Sequence, residues 1–188
     1  MKHTKKERKM KFYTLDNVIS KNQLFRLYNT ITQTHGWSLN RTSKGFNDLE
    51  AVGFPGMVIE EKENFYNPYL AGYFHSLLDN INLKFKKEYD FSLPSDIYRI
   101  HLTAKNNTSE TSFHRDSPDD SWTILGFITP VWKLEDGGEF KLEGEIIPYI
   151  PGRFIIFRSN LVHNGGFVKT NNLDYWRLSL NIILNIKT

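Results

Sequence analysis

The sequence predicts a mainly β protein of the α+β class, in which two N-terminal helices precede a β sandwich or barrel. Apolar residues recur at helical spacing in two segments before residue 95, but alternate with polar residues after Pro94. Clusters of glycine, proline, asparagine and aspartate then divide the chain into short segments, which is typical of strands joined by turns. The 188 residues suffice for one domain with a sizeable core, and no internal repeat suggests otherwise.

The first helix is expected at residues 21–35. Ser20 and Gln23 have the spacing of a capping box, in which each side chain bonds the other residue's backbone N–H. Gly36 is expected to end the helix. His35 would then lie in the last turn as a cation or donor at the negative end of the helix, rather than as a metal ligand. The apolar face comprises Leu24, Leu27, Tyr28 and Ile31.

A second helix is expected at residues 68–87, with Asn67 as its cap and Pro68 at its first position. Its apolar stripe should pack on the outside of a sheet. His75 flanks the stripe and is interpreted as a surface or packing residue. Residues 37–66, between the helices, are rich in glycine and aromatic residues, and predict mobile loops that could form a lid. Their aromatic residues could wall a substrate entrance or anchor the core.

Strands are expected in the second half of the chain, separated by the turn clusters. Their approximate positions are residues 96–103, 110–115, 121–129, 138–143, 145–149, 153–158, 166–169 and 174–186.

The composition limits the cofactor and the location. There is no cysteine, so any metal must be held by His, Asp or Glu, and Fe–S clusters are excluded. No apolar run approaches the ~20 residues of a membrane span, and no signal peptide is evident. A cytoplasmic protein without membrane partners is therefore expected.

The positive charge of the chain is concentrated at its N-terminus. Residues 1–11 contain six basic residues and one acidic residue, which leaves 18 basic and 20 acidic residues, a net charge of −2, for the remainder. We interpret residues 1–11 as a basic, flexible tail. Its charge could touch nucleic acid, but no basic stripe with stacking aromatic residues accompanies it, so a nucleic-acid partner is not expected.

Two histidines and an aspartate are the candidate metal ligands. His114 and Asp116 are two residues apart, so an extended backbone directs both side chains to one face while Arg115 points away. His163 follows an apolar segment and precedes two glycines. Two imidazoles and one carboxylate are the ligand set of non-haem Fe(II) oxygenases. Each residue alone is better explained as a hydrogen-bonded histidine or a turn aspartate, and only their combination favours a metal site.

The last predicted strand carries a candidate anion site. Alternation places Arg177, Ser179 and Asn181 on one face, opposite Trp176, Leu178 and Leu180. A guanidinium can bind a carboxylate through two parallel hydrogen bonds, and Ser179 could add a third. A structural salt bridge to a protein acid is an equally good explanation of the arginine.

In combination, these motifs resemble the iron(II)/2-oxoglutarate-dependent dioxygenase family. The resemblance rests on His114-Arg115-Asp116, His163 and Arg177-Leu178-Ser179. The intervening residues 123–132 (TILGFITPVW), 136–140 (DGGEF) and 151–157 (PGRFIIF) are similar to the prolyl 4-hydroxylase-like branch. The similarity covers about residues 96–186.

The resemblance implies a double-stranded β-helix, the jelly-roll or cupin-like core, at about residues 96–186 of a single domain spanning 12–188. His114, Asp116 and His163 would hold Fe(II), and Arg177 and Ser179 would bind the far carboxylate of 2-oxoglutarate. The implied reaction hydroxylates a C–H bond while O2 and 2-oxoglutarate become succinate and CO2, with ascorbate as a further candidate cofactor. Either Tyr98, His101 or neither would line the co-substrate pocket.

The sequence is compatible with several substrates and with a second class of function. Candidate substrates are a prolyl or other protein side chain, a free amino acid and a small metabolite. Trp37, Trp122 and Trp132 could stack on a substrate or belong to the core. A non-catalytic jelly-roll module that binds a metal or ligand is the principal alternative, because a fold alone does not fix a function. Demethylation or hydroxylation of nucleic acid is supported only by the tail. The oligomeric state is not predicted.

Overall fold

The computed structural model describes residues 11–41, 54–109, 112–170 and 176–185. Helix α1, Lys21–Gln33, begins with the predicted capping box: the Gln23 N–H donates to Ser20 Oγ at 3.3 Å, and the Ser20 N–H donates to Gln23 Oε1 at 2.8 Å. It ends at Gln33, two residues earlier than predicted, so His35 lies beyond the helix and not in its last turn.

Helix α2, Pro68–Tyr89, is capped by Asn67, whose side chain accepts a hydrogen bond from the Leu70 N–H at 3.1 Å. It ends at Tyr89, and the following residue, Asp90, caps it in a left-handed conformation (φ 59°). Neither helix in the described part of the chain is long and apolar enough to cross a membrane.

The strands form one large and one small antiparallel sheet. In chain order they are β1 Phe12–Leu15, β2 Ser38–Arg41, β3 Phe54–Glu61, β4 Asn64–Phe65, β5 Ile97–Lys105, β6 Trp122–Phe127, β7 Phe140–Leu142, β8 Glu145–Ile147, β9 Phe154–Arg158, β10 His163–Asn164 and β11 Arg177–Leu184. The large sheet has the order β1-β9-β6-β11-β5-β3-β2, with β4 beside β3, and the small sheet has the order β10-β7-β8.

Side-chain alternation divides the large sheet between two apolar layers. On β6, Ile124 packs in one layer with the buried faces of both helices, whereas Leu125 and Phe127 pack in a second layer with β7 and β8. On β9, Ile156 and Ile155 divide in the same way. The protein is therefore mainly β, as predicted, with a jelly-roll arrangement of two facing sheets.

Four strands of the large sheet, β1 to β4, lie where the sequence analysis predicted no strand. The first element among the described residues is β1, which pairs with β9 and precedes the first helix. In the segment 37–66, predicted as loops, β3 pairs along β5 from Gly56 to Glu61 and β2 pairs with β3. That prediction was wrong for these strands, because pairing with β5 provides hydrogen bonds that override the local effect of Pro55 and Gly56. Residues 42–53 lie outside the described residues.

Two predicted strands are reduced to single bridges. In place of a strand at 110–115, His114 forms one isolated bridge with His163, and residues 110–111 lie outside the described residues. In place of a strand at 166–169, Val168 forms one bridge with Gly137, and the short β10 lies just before it. The predicted tail, residues 1–11, lies outside the described residues except for Lys11, and its mobility stays a prediction.

Candidate metal centre

The backbones of two histidines are paired directly. The His114 N–H donates to the His163 carbonyl at 2.9 Å, and the His163 N–H donates to the His114 carbonyl at 2.9 Å. This isolated antiparallel bridge brings residues 49 positions apart in sequence side by side, with ring centroids 4.4 Å apart.

Asp116 completes the cluster. Its N–H donates to the Ser159 carbonyl at 3.0 Å, which fixes the backbone two residues after His114. Its Oδ1 lies 3.8 Å from His114 Nε2 and 3.6 Å from His163 Nε2. One ligand atom from each residue lies within 4.8 Å of the others, as needed for one metal bound at about 2 Å from each.

Hydrogen bonds orient both imidazoles for metal binding. His114 Nδ1 lies 3.1 Å from the Ser112 carbonyl, and His163 Nδ1 lies 2.9 Å from the Leu161 carbonyl. Because a carbonyl can only accept, Nδ1 must carry the proton in both rings. The Nε2 lone pairs are therefore directed toward Asp116, which is the arrangement of metal-binding histidines.

The protonation states also suit a cation. Burial lowers the pKa of His114, and the nearby His163 lowers it further, so the ring is neutral at neutral pH. For Asp116, burial alone would raise the pKa, but His163 and His114 more than offset it and hold the pKa well below its usual range. The cluster thus offers two imidazoles and an ionised carboxylate, which is the donor set of a divalent transition metal.

Two buried hydroxyl groups fix the Asp116 carboxylate. Thr123 Oγ1 donates to Asp116 Oδ2 at 2.8 Å, and Ser159 Oγ lies 2.9 Å from the same threonine oxygen. Because the single Thr123 proton is committed to the carboxylate, Ser159 must be the donor of the second bond. Oδ2 is thus held on β6, and Oδ1 is the oxygen offered to a metal.

We expect Thr123→Val to weaken the binding of a divalent metal by roughly 10- to 100-fold, the range for lost partners of metal ligands. The substitution preserves shape but removes the donor to Asp116. Thr123→Ser keeps the hydroxyl and should bind metal as the wild type does. Calorimetric titration with Mn(II) measures the difference. Equal affinities for the valine variant and the wild type would contradict the positioning role.

A cavity of about 770 Å³ opens from the three candidate ligands toward β5, β3 and β11. Arg177, Ser179 and Asn181 all line it, as the predicted alternation requires, while Leu178 and Leu180 are buried in the layer that faces the helices. The cavity therefore contains both groups of residues that the sequence analysis selected.

Arg177 is buried in the wall of this cavity. Its Nε donates to the Gly138 carbonyl at 2.8 Å, and its Nη1 donates to Ser179 Oγ at 3.0 Å. The guanidinium carbon lies 5.0 Å from the ring centre of Tyr149. Gly138 permits this approach, since a Cβ there would lie 2.7 Å from Arg177 Cδ, and its φ of +72° favours glycine.

The Arg177 guanidinium makes no salt bridge in the described part of the chain. No carboxylate oxygen there lies within 4.0 Å of the guanidinium, and Nη2 is buried without a hydrogen-bond partner. The structural salt bridge considered for Arg177 is therefore not found among these residues. A buried donor without a partner is costly, and an anionic ligand would satisfy it.

Lys105 brings a second cation to the same place. It is the antiparallel partner of Arg177 across β5 and β11. A Cβ on Gly165 would lie 3.4 Å from Lys105 Nζ and 3.8 Å from Arg177 Nη1, so the two groups flank one glycine. Burial, together with the Arg177 charge, lowers the pKa of Lys105 to about 7.

We expect Lys105→Met to stabilise the protein at pH 6, by on the order of 1 kcal/mol or more, since one pKa unit corresponds to about 1.4 kcal/mol. The folded-state pKa of about 7 lies below the reference value of 10.5, so the unfolded chain binds the proton more tightly. The buried charge therefore lowers the free energy of unfolding of the wild type by its full amount below pH 7, and this loss of stability disappears as the pH rises toward 10.5. Urea unfolding at pH 6 and 9 measures this.

The matched control for that experiment is Lys87→Met, on the exposed face of α2. It should change stability equally at both pH values. If Lys105→Met gave no larger gain at pH 6 than at pH 9, the burial of a destabilised charge would be contradicted.

The structure also locates the remaining candidates. His101 lines the cavity, whereas Tyr98 lies on another face of β5, with the Lys62 ammonium 5.5 Å from its ring centre. His75 pairs with Glu60 at 2.6 Å, outside the cavity. None of the three tryptophans considered for stacking lines the cavity: Trp37 and Trp122 pack with the helices, and Trp132 packs between the sheets.

The sequence analysis missed Thr123, Ser159 and Lys105. The lysine had a visible signal, because polar side chains alternate along Arg99, His101, Thr103 and Lys105. The two hydroxyl residues carry no such signal, since their roles depend on strands that meet only in the fold.

Comparisons with known proteins identify the fold. No family model matches the sequence, and no curated protein does. Among solved structures, a 2OG-Fe(II) oxygenase family oxidoreductase from Burkholderia pseudomallei superposes with a TM-score of 0.68 at 15% identity, covering 94% of this chain and 85% of that one. A Pseudomonas putida prolyl-4-hydroxylase gives a TM-score of 0.66 at 13% identity, covering 95% of both chains.

A non-heme alpha ketoglutarate dependent carbocyclase from nogalamycin biosynthesis is also similar, with a TM-score of 0.65 at 12% identity over 94% of this chain and 79% of that one. The TM-scores establish the fold, whereas sequence identities this low leave the reaction open. The chain therefore has the jelly-roll fold of the 2-oxoglutarate/Fe(II) oxygenases, in the form shared with the prolyl 4-hydroxylases.

Proposed function

We propose that this protein is an Fe(II)- and 2-oxoglutarate-dependent dioxygenase that hydroxylates an unactivated C–H bond. The observation that carries the proposal is the presence, in one cavity, of a three-donor cluster and a buried arginine with an unsatisfied donor. A metal-binding module would need the first, but the second calls for an anionic ligand beside the metal.

The chemistry of the side chains fits both cofactors. His114 and His163, with Nε2 unprotonated, and Asp116, through Oδ1, would hold Fe(II). Arg177 Nη2 and Ser179 would bind the far carboxylate of 2-oxoglutarate. When bound, Fe(II) and 2-oxoglutarate supply the oxidising chemistry, in which O2 is consumed and succinate and CO2 are formed.

The protein's own contribution is positioning and exclusion of water. Thr123 and Ser159 hold the carboxylate, the two backbone carbonyls hold the imidazoles, and His163 is almost completely buried. Because Asp116 would fill the coordination position that a halide would otherwise take, hydroxylation is the proposed outcome. Ascorbate is proposed as a reductant that maintains Fe(II).

The substrate class has two precedents among the similar structures. One neighbour is a prolyl hydroxylase in complex with a peptide fragment, from Trichoplax adhaerens, and another is the carbocyclase, so both peptide and small-molecule chemistry occur on this fold. A protein side chain and a small metabolite are therefore both compatible with the proposal.

Anaerobic titration tests the proposal. Addition of 2-oxoglutarate to the Fe(II)-loaded protein should produce a visible charge-transfer band, and admission of O2 should convert 2-oxoglutarate to succinate. An intact, iron-loaded sample that gave neither band nor succinate would exclude the dioxygenase and favour the non-catalytic jelly-roll module.

A further inference from the structure

We propose that the substrate is a small zwitterion of the α-amino acid type, whose carboxylate binds Arg99 and whose ammonium group binds Glu61. This rests on the proposed function in one respect, that the cavity beside the metal centre is the substrate site. The experiment below also distinguishes a free amino acid from a peptide as the substrate.

The register of the large sheet places Arg99 at the level of the metal centre. Arg99 on β5 pairs with Ile183 on β11, and Ile183 pairs with Thr123 on β6. Thr123 in turn bonds Asp116. Because neighbouring strands are about 4.8 Å apart, the backbone of Arg99 lies about 10 Å across the sheet from that of Thr123. A small molecule held by Arg99 therefore lies within reach of a metal bound at Asp116.

The Arg99 guanidinium has a buried donor available for a ligand and does not form a close ion pair within the protein. Its Nε is buried and has no hydrogen-bond partner, and its contact with Glu61 is 4.0 Å long. A closed pair in the same molecule has different geometry: Arg153 donates from Nε and Nη2 to the two oxygens of Asp16, at 2.8 and 2.7 Å. The Arg99–Glu61 pair thus leaves room for groups of opposite charge to bond each member.

The charge of the cavity wall favours a carboxylate. Four residues of the wall are lysine or arginine, namely Arg99, Lys105, Arg115 and Arg177, and two are acidic, namely Glu61 and Asp116. The wall stays positive although Lys105, with its pKa of about 7, is only partly charged at neutral pH. Fe(II) and 2-oxoglutarate carry opposite charges of equal size, so their joint binding leaves this positive excess unchanged. A zwitterion does not change this net charge, so the wall acts on it locally, through the attraction between its carboxylate and the Arg99 guanidinium.

Glu61 decides between an anion and a zwitterion. It lines the cavity beside Arg99, is about one-third exposed, and would repel a purely anionic ligand held by Arg99. An ammonium group next to the carboxylate converts that repulsion into attraction. The volume of about 770 Å³ accommodates a second small molecule beside the co-substrate.

Binding of free amino acids to the full-length protein tests the proposal. The protein is loaded with Zn(II), which prevents turnover, and with 2-oxoglutarate, and is screened calorimetrically against the proteinogenic L-α-amino acids. For each ligand found, the corresponding deaminated acid and decarboxylated amine are compared. We expect at least one amino acid to bind, and both analogues to bind roughly tenfold more weakly or worse.

Variants assign the effect to the two residues. Arg99→Gln and Glu61→Gln should each weaken binding of the amino acid by roughly tenfold or more, while Glu61→Gln should narrow the difference between the amino acid and its deaminated analogue. Arg26→Gln, on the exposed face of α1, is the matched control and should bind as the wild type does. Circular dichroism verifies that each variant is folded.

Three results would overturn the proposal. The first is that no amino acid in the screen binds. The second is an affinity that Arg99→Gln leaves unchanged, which would mean that the amino acid simply chelates the zinc. The third is that a proline-containing peptide binds more tightly than the free amino acids. The outcome is separable from the proposed function. A charge-transfer band without amino acid binding would leave the dioxygenase intact, whereas Arg99-dependent binding without a band would leave only the binding site.

Discussion

His114→Ala is expected to abolish Fe(II) binding and, with it, all conversion of 2-oxoglutarate. The cluster has only three donor side chains among the described residues, so the loss of His114 leaves two ligands, His163 and Asp116. Loss of a direct ligand should exceed the roughly 10- to 100-fold effect of losing a ligand's hydrogen-bond partner. Anaerobic calorimetry with Fe(II), together with the metal content after dialysis, measures it.

His35→Ala is the matched control, because His35 lines the same cavity but lies outside the three-residue cluster. It should bind Fe(II) like the wild type. Folding of the His114 variant is verified by its unfolding transition, since the His114 side chain is 32% exposed and lies outside both apolar layers, so that its removal should leave the core intact. Unchanged Fe(II) affinity in a folded His114→Ala protein would contradict the metal assignment.

The local periodicity of the sequence was enough to predict which residues of β11 line the cavity. The alternation along β11 placed Arg177, Ser179 and Asn181 together on the cavity side, because the two-residue repeat of a strand does not depend on its neighbours. The capping box of α1 and the cap of α2 were predictable for the same reason, since the residues that make each cap are close in sequence.

Non-local pairing accounts for what the sequence could not show. The distance between His114 and His163 depends on a single bridge across 49 residues of sequence, for which no periodic signal exists. Strand β3 begins with Phe54, Pro55 and Gly56, a start that indicates a loop locally, and it becomes a strand through its pairing with β5. The relay from Ser159 to Thr123 needs β6 and β9 side by side, with Ser159 just beyond the end of β9.

Arg177→Met is expected to weaken 2-oxoglutarate binding by about 2–5 kcal/mol, the range for truncating one member of a buried charge pair. Methionine keeps most of the volume against Tyr149 but removes the charge and the unsatisfied Nη2 donor. Arg177→Lys keeps a charge without the planar fork, and should lie between the two. Titration of the charge-transfer band under anaerobic conditions gives the affinities. Arg158→Met, which removes an arginine stacked on Trp122 outside the cavity, is the control.

Stability distinguishes a ligand-binding arginine from a structural one. Burial lowers the pKa of Arg177 to about 10, so its charge is a cost to the fold in the absence of an anion. Without 2-oxoglutarate, Arg177→Met should therefore unfold at a urea concentration equal to or above that of the wild type. Addition of 2-oxoglutarate should stabilise the iron-loaded wild type and leave the variant unchanged, because only the wild type binds it tightly. A variant that lost stability but retained 2-oxoglutarate affinity would assign Arg177 to the core. A variant that gained stability as it lost affinity would show that the fold bears the cost of a buried charge in order to hold a carboxylate beside the metal.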